Sequence, residues 1–217
     1  MQSPLAAEAQ TGHSMSIYLH KHDLPGSLSL GHVVAIDTET MGLNLHRDRL
    51  CLVQLSAGDG HAHLVQIAAD QQPCPNLEHL LADSSCEKLF HFGRFDIAML
   101  KQHIGPLRGP IFCTKIASKL CRTYTDRHGL ADLCRDVLGL EISKQQQSSY
   151  WGSDELSKEQ QDYAANDVLY LHQLKDKLKN MLIRSDRLRV AEDSFAFLNT
   201  RTDLDLAGFE MLDIFHH

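Results

Sequence analysis

An α/β fold follows from the order of hydrophobic patterns in the chain: short apolar runs of strand length come first, and longer helix-forming stretches follow. A glycine-bounded hairpin signal, and no repeat or long linker, support one sheet with a helical C-terminal part. Residues 1–14 are small and polar without periodicity, which predicts a disordered leader ahead of a single domain over 15–217. Val33–Val34–Ala35–Ile36–Asp37 reads as a strand over 33–37, and two further runs predict strands at 51–56 and 62–67. Between them, Gly58–Asp59–Gly60 predicts a tight turn. A short helix near 76–82 follows Pro73 and Pro75, and a strand at 88–91 comes next. Apolar positions at Phe95, Ala98 and Met99 predict a helix from Arg94 to His103 with Asp96 near its start. From Thr114 onward the pattern is helical, over 114–122, 129–138, 157–182 and 185–198.

The chemistry concentrates at three points of this scaffold. Residues two apart on a strand face the same way, so Asp37 and Glu39 project together. Two like charges on one side of an apolar strand call for a positive partner, although alone the pair also fits a solvated turn. Tyr163 and Asp167 lie four apart in a stretch free of Gly and Pro, which puts phenol and carboxylate one turn apart on one helical face. Ala164 and Ala165 between them would let that helix approach a sheet closely. An isolated pair at this spacing also suits an amphipathic helix with its tyrosine in the core. Beside Asp37, Glu39 and Asp96 it points instead to a catalytic set of four acids and a phenol. Hard Mg²⁺ or Mn²⁺ prefers carboxylate oxygens, which fits four acids and no thiol. Two such ions roughly 3.5–4 Å apart can activate a water and stabilise both oxygens of a phosphodiester displacement.

These residues resemble the DEDD superfamily of 3′-5′ exonucleases, and the tyrosine four before the last acid resembles its DEDDy branch, to which ribonuclease D belongs. The stretches DTETMGL, HFGRFDIAML, CTKIASKL, YTDRHGL, ISKQQQSSYW and YAANDVLYLHQLK are similar to the small ribonuclease D-like proteins of the nano-RNase C family, from about Asp23 to the C-terminus. Phe92–Gly93 departs from the wider superfamily, in which many members carry a polar residue after the histidine. The resemblance implies a ribonuclease H-like exonuclease fold, a mixed sheet flanked by helices. It implies two divalent cations, Mg²⁺ or Mn²⁺, with Asp37, Glu39 and Asp167 holding the first and Asp37 with Asp96 the second. Tyr163, whose phenol at an ordinary pKa of about 10 is protonated at neutral pH, would aim the attacking water. Thr40 to Leu43, Gly42 included, would meet the terminal sugar and base, with Leu43 as an apolar wedge or as a core leucine of its loop. A ring-like homo-octamer is implied as well. The apolar tail Phe209–Met211–Leu212–Ile214–Phe215 would supply part of an interface or cap the monomer's own core.

Composition bounds the substrate. The formal charge of −7 suits a long-tract nucleic-acid binder poorly, because such affinity comes from many Lys and Arg contacts to phosphate. Few nucleotides need few contacts. Lys144, beside the polar run Gln145–Gln146–Gln147–Ser148–Ser149, is the candidate for a terminal phosphate, with Gln147 and Ser148 beside it; simple loop solvation is the alternative. Lys115, Lys119 and Arg122 fall at i, i+4 and i+7, a basic stripe that also reads as a solvated helix face. His91 would line the substrate pocket or close a strand end. Six cysteines without C-x-x-C or zinc-ligand spacing are expected to be reduced, and no stretch reaches the roughly 18 apolar residues of a membrane span, so a cytoplasmic location is expected. The sequence thus points to a metal-dependent 3′-5′ exoribonuclease of very short RNA, dinucleotides included, releasing nucleoside 5′-monophosphates. Trimming of longer RNA, action on DNA, and a catalytically silent nucleic-acid-binding module remain the other readings.

Overall fold

The computed structural model describes residues 15–143, 145, 146 and 148–217; the expected leader over 1–14, Lys144 and Gln147 lie outside the described residues. Six strands form one sheet: β1 Ser16–Lys21, β2 Val33–Thr40, β3 Leu50–Ser56, β4 His61–Gln66, β5 Glu87–Phe90 and β6 Ile111–Cys113, in the spatial order β1-β4-β3-β2-β5-β6. The sheet is mixed. β2 pairs antiparallel with β3 and parallel with β5, and the outer strands β1 and β6 join in parallel. β3 is buried along its whole length, as a mostly apolar central strand covered on both faces should be. The turn after it places Gly58 at φ +80, directly over the His172 ring, where a Cβ would come within 2.6 Å of that ring.

Helices cover the sheet: α1 Pro75–Ala82, α2 Arg94–His103, α3 Thr114–Cys121, α4 Leu130–Leu133, α5 Lys158–Leu169, α6 Leu171–Arg184 and α7 Leu188–Leu204. One apolar cluster runs from Leu24 through β2, β3 and β5 to Phe195 and Leu198 on α7. A second, smaller one packs Trp151, Leu156 and Ala164 on Cys51, Leu52 and Leu64. The small Ala164 and Ala165 are fully buried, so α5 lies close against the sheet.

Several sequence expectations need correction. β1 and β6 were not anticipated: β1 is a half-exposed edge without a clean alternation, and β6 has only three residues. The single helix expected over 157–182 breaks at Tyr170, whose ψ of −3 leaves the α-helical range and separates α5 from α6. The helix expected over 129–138 widens into a π-type turn at Cys134–Leu138 and stops at Gly139, φ +71. The last helix runs to Leu204 rather than 198 and also ends in a π-type turn, Asp205–Phe209. Arg122 does not join an exposed stripe; it is buried and paired with Asp136 at 2.7 Å, a local fastening of α3. The tail does not cap the core, since Met211 is 94% and Phe215 77% exposed. Among the described residues no helix is long and apolar enough to cross a membrane.

Candidate active site

The pleat of β2 decides which acids meet. Asp37 and Glu39 point to the face covered by α5, and α5 brings Tyr163 and Asp167 down onto them. One oxygen from each of Asp37, Glu39 and Asp167 lies within 4.8 Å of the others, a spacing and an all-oxygen donor set suited to a hard divalent cation. The helix is fixed at its start by a reciprocal cap, Ser157 N–H donating to Gln160 Oε1 at 2.9 Å and Gln160 N–H to Ser157 Oγ at 3.3 Å. Gln160 Nε2 then donates to Ser149 Oγ at 2.7 Å, tying the 148–151 segment to the same helix end. Trp151 is buried beside Tyr163, ring centroids 6.0 Å apart.

Asp96 is placed differently. It lies in the first turn of α2 and is buried, and its Oδ1 accepts a 2.6 Å hydrogen bond from Thr38 Oγ1, the side chain on the opposite face of β2 from Asp37 and Glu39. It is outside the 4.8 Å group, yet near enough to act on Asp37 and Glu39 by charge.

Crowding of like charges in a water-poor site sets the protonation. Burial, then Asp96, Asp167 and Glu39, push Asp37 well above the usual carboxylate range. Burial, then Asp167 and Asp96, raise Glu39 to about 9. Burial raises Asp167 to about 7, opposed by the Tyr163 hydroxyl, and Asp96 to about 6, opposed by Thr38. Burial and the neighbouring acids lift the Tyr163 phenol above its ordinary value, so it stays protonated. Gln54, fully buried on β3 opposite Asp37, offers its amide to both Asp37 and Glu39 at 3.5 Å.

A cavity of about 660 Å³ opens over Asp37, Glu39, Asp167 and Tyr163, and Asp96 is not among its lining residues. Thr40, Gly42, Leu43, His91 and Ser148 all line it. A register shift between Glu39 and Thr40 bends the strand end into the Leu43 loop, and Leu43 stands 83% exposed at its tip. His91 Nδ1 is 2.9 Å from Thr114 Oγ1, which itself donates to the Phe90 carbonyl at 3.2 Å. The hydroxyl has one proton, so it accepts from Nδ1–H, and Nε2 is left as an acceptor. Burial, then the Lys115 charge, hold His91 down to about 3 and therefore neutral.

Sequence reasoning missed Lys115, Phe92 and Trp151 as cavity residues, and Gln54 beneath it. Lys115 has its Nζ 4.1 Å from the Phe92 ring centroid, inside the cavity rather than on a solvated stripe. Phe92 sits at φ +68, a strained conformation for an aromatic residue. Only Gln54 left a legible sign, a lone amide inside the apolar run CLVQLS.

A mixed sheet with uncompensated acids and a phenol over its central strands is the architecture of a metal-dependent nuclease. The 3′-5′ exonuclease family matches residues 19–183, and the chain belongs to that family, to its ribonuclease D-like branch. Two solved structures of Brucella melitensis NrnC are alike over nearly the whole chain. The one with bound Mg²⁺ has 54% sequence identity and a TM-score of 0.89, covering 94% of this chain and 100% of that one. The one bound to pGG has 55% identity and a TM-score of 0.90 over the same shares. Ribonuclease D of Granulibacter bethesdensis is 33% identical over 166 residues, 76% of this chain but 42% of that protein. The chain thus spans about two fifths of the length of such curated relatives.

Proposed function

We propose that the protein is a metal-dependent 3′-5′ exoribonuclease that hydrolyses very short RNA, dinucleotides included, to nucleoside 5′-monophosphates. The observation that carries this reading is the convergence of Asp37, Glu39 and Asp167 within 4.8 Å in a cavity that also holds Tyr163 and the Leu43 loop. Likeness to a protein seen with Mg²⁺ and with pGG supports it. Asp37, Glu39 and Asp167 would hold one divalent cation, and Asp37 with Asp96 a second. When bound, such ions make water acidic and neutralise charge on the phosphate. The chain's own groups do the rest. Tyr163, protonated, donates a hydrogen bond that aims the attacking water. Neutral His91 offers Nε2 to a sugar hydroxyl, Leu43 wedges against the terminal base, and Ser148, with Lys144 and Gln147, receives the far end of the substrate. A cavity of about 660 Å³ is in the range of sites for single small ligands, which favours few nucleotides over a tract.

The exposed tail side chains at Met211, Leu212 and Phe215 would join copies of the chain into a closed homo-oligomer, an octamer by likeness to the nano-RNase C family. The free thiols of all six cysteines fit a reducing, cytoplasmic setting. The test is digestion of 5′-labelled RNA and DNA of two to about twenty nucleotides with Mg²⁺, Mn²⁺ or chelator, run beside light scattering for subunit number. Loss of dinucleotides first, only with metal, is the expected result. Dinucleotides that accumulate would replace this reading with trimming of longer RNA, equal turnover of DNA would remove the sugar preference, and activity in chelator would end the metal mechanism.

A further inference from the structure

Asp205 is a carboxylate buried to 1% exposure, in the π-type turn after α7 and beyond the residues the exonuclease family matches. It accepts both prongs of Arg94, Nε to Oδ2 and Nη2 to Oδ1, each at 2.7 Å, and Arg201 Nη2 approaches Oδ1 at 2.9 Å. A two-pronged guanidinium–carboxylate pair fixes angle as well as distance. Arg94 is the first residue of α2, two before Asp96. The same helix is held a second time by Lys101, whose ammonium donates to Asn199 O at 2.8 Å, Thr202 Oγ1 at 2.9 Å and Asp203 Oδ1 at 2.8 Å. The guanidiniums of Arg94 and Arg201 also take the carbonyls of Phe209, Glu210 and Leu212, so the chain leaving α7 is fastened to the same point.

From the sheet side, Asp96 is held by one residue, Thr38, through its hydroxyl and its backbone. The helix side sets its position through the first turn of α2, which carries it. We propose that Asp205, through Arg94, is a positioning residue for Asp96 and so sets the affinity of the second cation site, while leaving the Asp37–Glu39–Asp167 site untouched. This rests on Asp96 being a ligand of that second ion, as proposed above. Groups that orient a metal ligand typically cost about 10–100-fold in metal affinity when lost. Acting through one helical turn, the clamp belongs at the lower end of that range.

Mn²⁺ binding counted by electron paramagnetic resonance, without substrate, tests it. Asp96→Asn should bind one ion instead of two. Arg94→Gln and Asp205→Asn should bind the first ion as the parent protein does and the second about tenfold more weakly. Arg94→Lys, which keeps the charge but not the two-pronged geometry, should fall between. If Asp205→Asn fails to fold, Arg94→Gln decides, because Asp205 then keeps Arg201. A merely structural clamp would lower the melting temperature of these variants and leave second-ion affinity unchanged, and that result overturns the inference. Two ions bound with unchanged affinity by Asp96→Asn would instead overturn the ligand assignment beneath it.

Discussion

Two sets of acids in this molecule have opposite surroundings. Asp205 is enclosed with two guanidiniums at 2.7 and 2.9 Å, and its charge is satisfied by the chain itself. Asp37, Glu39 and Asp167 are gathered within 4.8 Å, and among the described residues no Lys, Arg or His forms an ion pair with them. A folded chain that can supply cations to one buried acid, and leaves three others facing each other, keeps the second set for charge from outside. The contrast separates an acid that holds structure from acids that await a ligand.

The sharpest way to break that contrast is to neutralise one acid of each set. Asp37→Asn or Asp167→Asn should cost about 10³-fold or more in dinucleotide hydrolysis at saturating Mn²⁺, since a lost ligand removes charge stabilisation from every step. Asp205→Asn should lower the melting temperature more than either, while excess Mn²⁺ restores most turnover. Asp37→Asn at near-parental turnover in metal-replete buffer would dissolve the distinction. Next in size is Tyr163→Phe, which should lose about 10²-fold in kcat, the scale of a positioned proton-bearing group, while Mn²⁺ binding stays intact. Unchanged kcat would reduce the phenol to a packing partner of Trp151.

The awaiting acids were legible in the sequence, and the satisfied one was not. Asp37 and Glu39 announce themselves by the period of a strand, and Tyr163 and Asp167 by the period of a helix, because each pair shares one element and one face. The sheet core was equally readable from apolar runs, whereas β6, at three residues, is shorter than any pattern that could reveal it. Arg94 and Asp205 are 111 residues apart, and Lys115 enters the cavity only because β6 aims the start of α3 there. Pairings of that kind depend on how elements dock, which local periodicity does not encode. The same limit misplaced Arg122: its spacing with Lys119 was right for a helix face, but the helix had already ended and the side chain turned inward to Asp136.

Stability against pH offers a smaller effect with a definite sign. Glu39 near 9, Asp167 near 7 and Asp96 near 6 all lie above the roughly 4 expected in the unfolded chain. Between those values the native state binds more protons than the unfolded state, so stability of the chelated protein falls as pH rises through the window. The melting temperature in chelator should therefore drop from about pH 7 to about pH 9, above the range in which His91, held neutral by the fold, works in the opposite direction. Saturating Mg²⁺ should remove or reverse the slope, because the ion takes the deprotonated carboxylates. A melting temperature in chelator that climbs toward pH 9 would mean the cluster has a cationic partner in solution and is no different from Asp205.

The smallest effect concerns the Leu43 loop that follows the acids of β2. Gly42 lies over Asp48, whose Oδ2 would be 2.3 Å from an added Cβ, and Asp48 is held by Asn44 N–H at 3.0 Å and by Arg47 at 2.7 Å. Arg47 and the Asn44 backbone keep the Asp48 carboxyl down at about 2, so it is charged at any working pH and keeps those bonds. Gly42→Ala must then displace either that carboxylate or the Leu43 loop above it. Dinucleotide KM should rise several-fold with kcat within about twofold, the mark of lost substrate binding rather than lost chemistry. Asp48→Ala frees the space but strips the loop of its internal acceptor, so alone it should raise KM too. In the double variant the clash is gone and the acceptor is already lost, so the two penalties should fail to add. Additive penalties would mean that Gly42 and Asp48 act separately, and that the loop is shaped by something other than their contact.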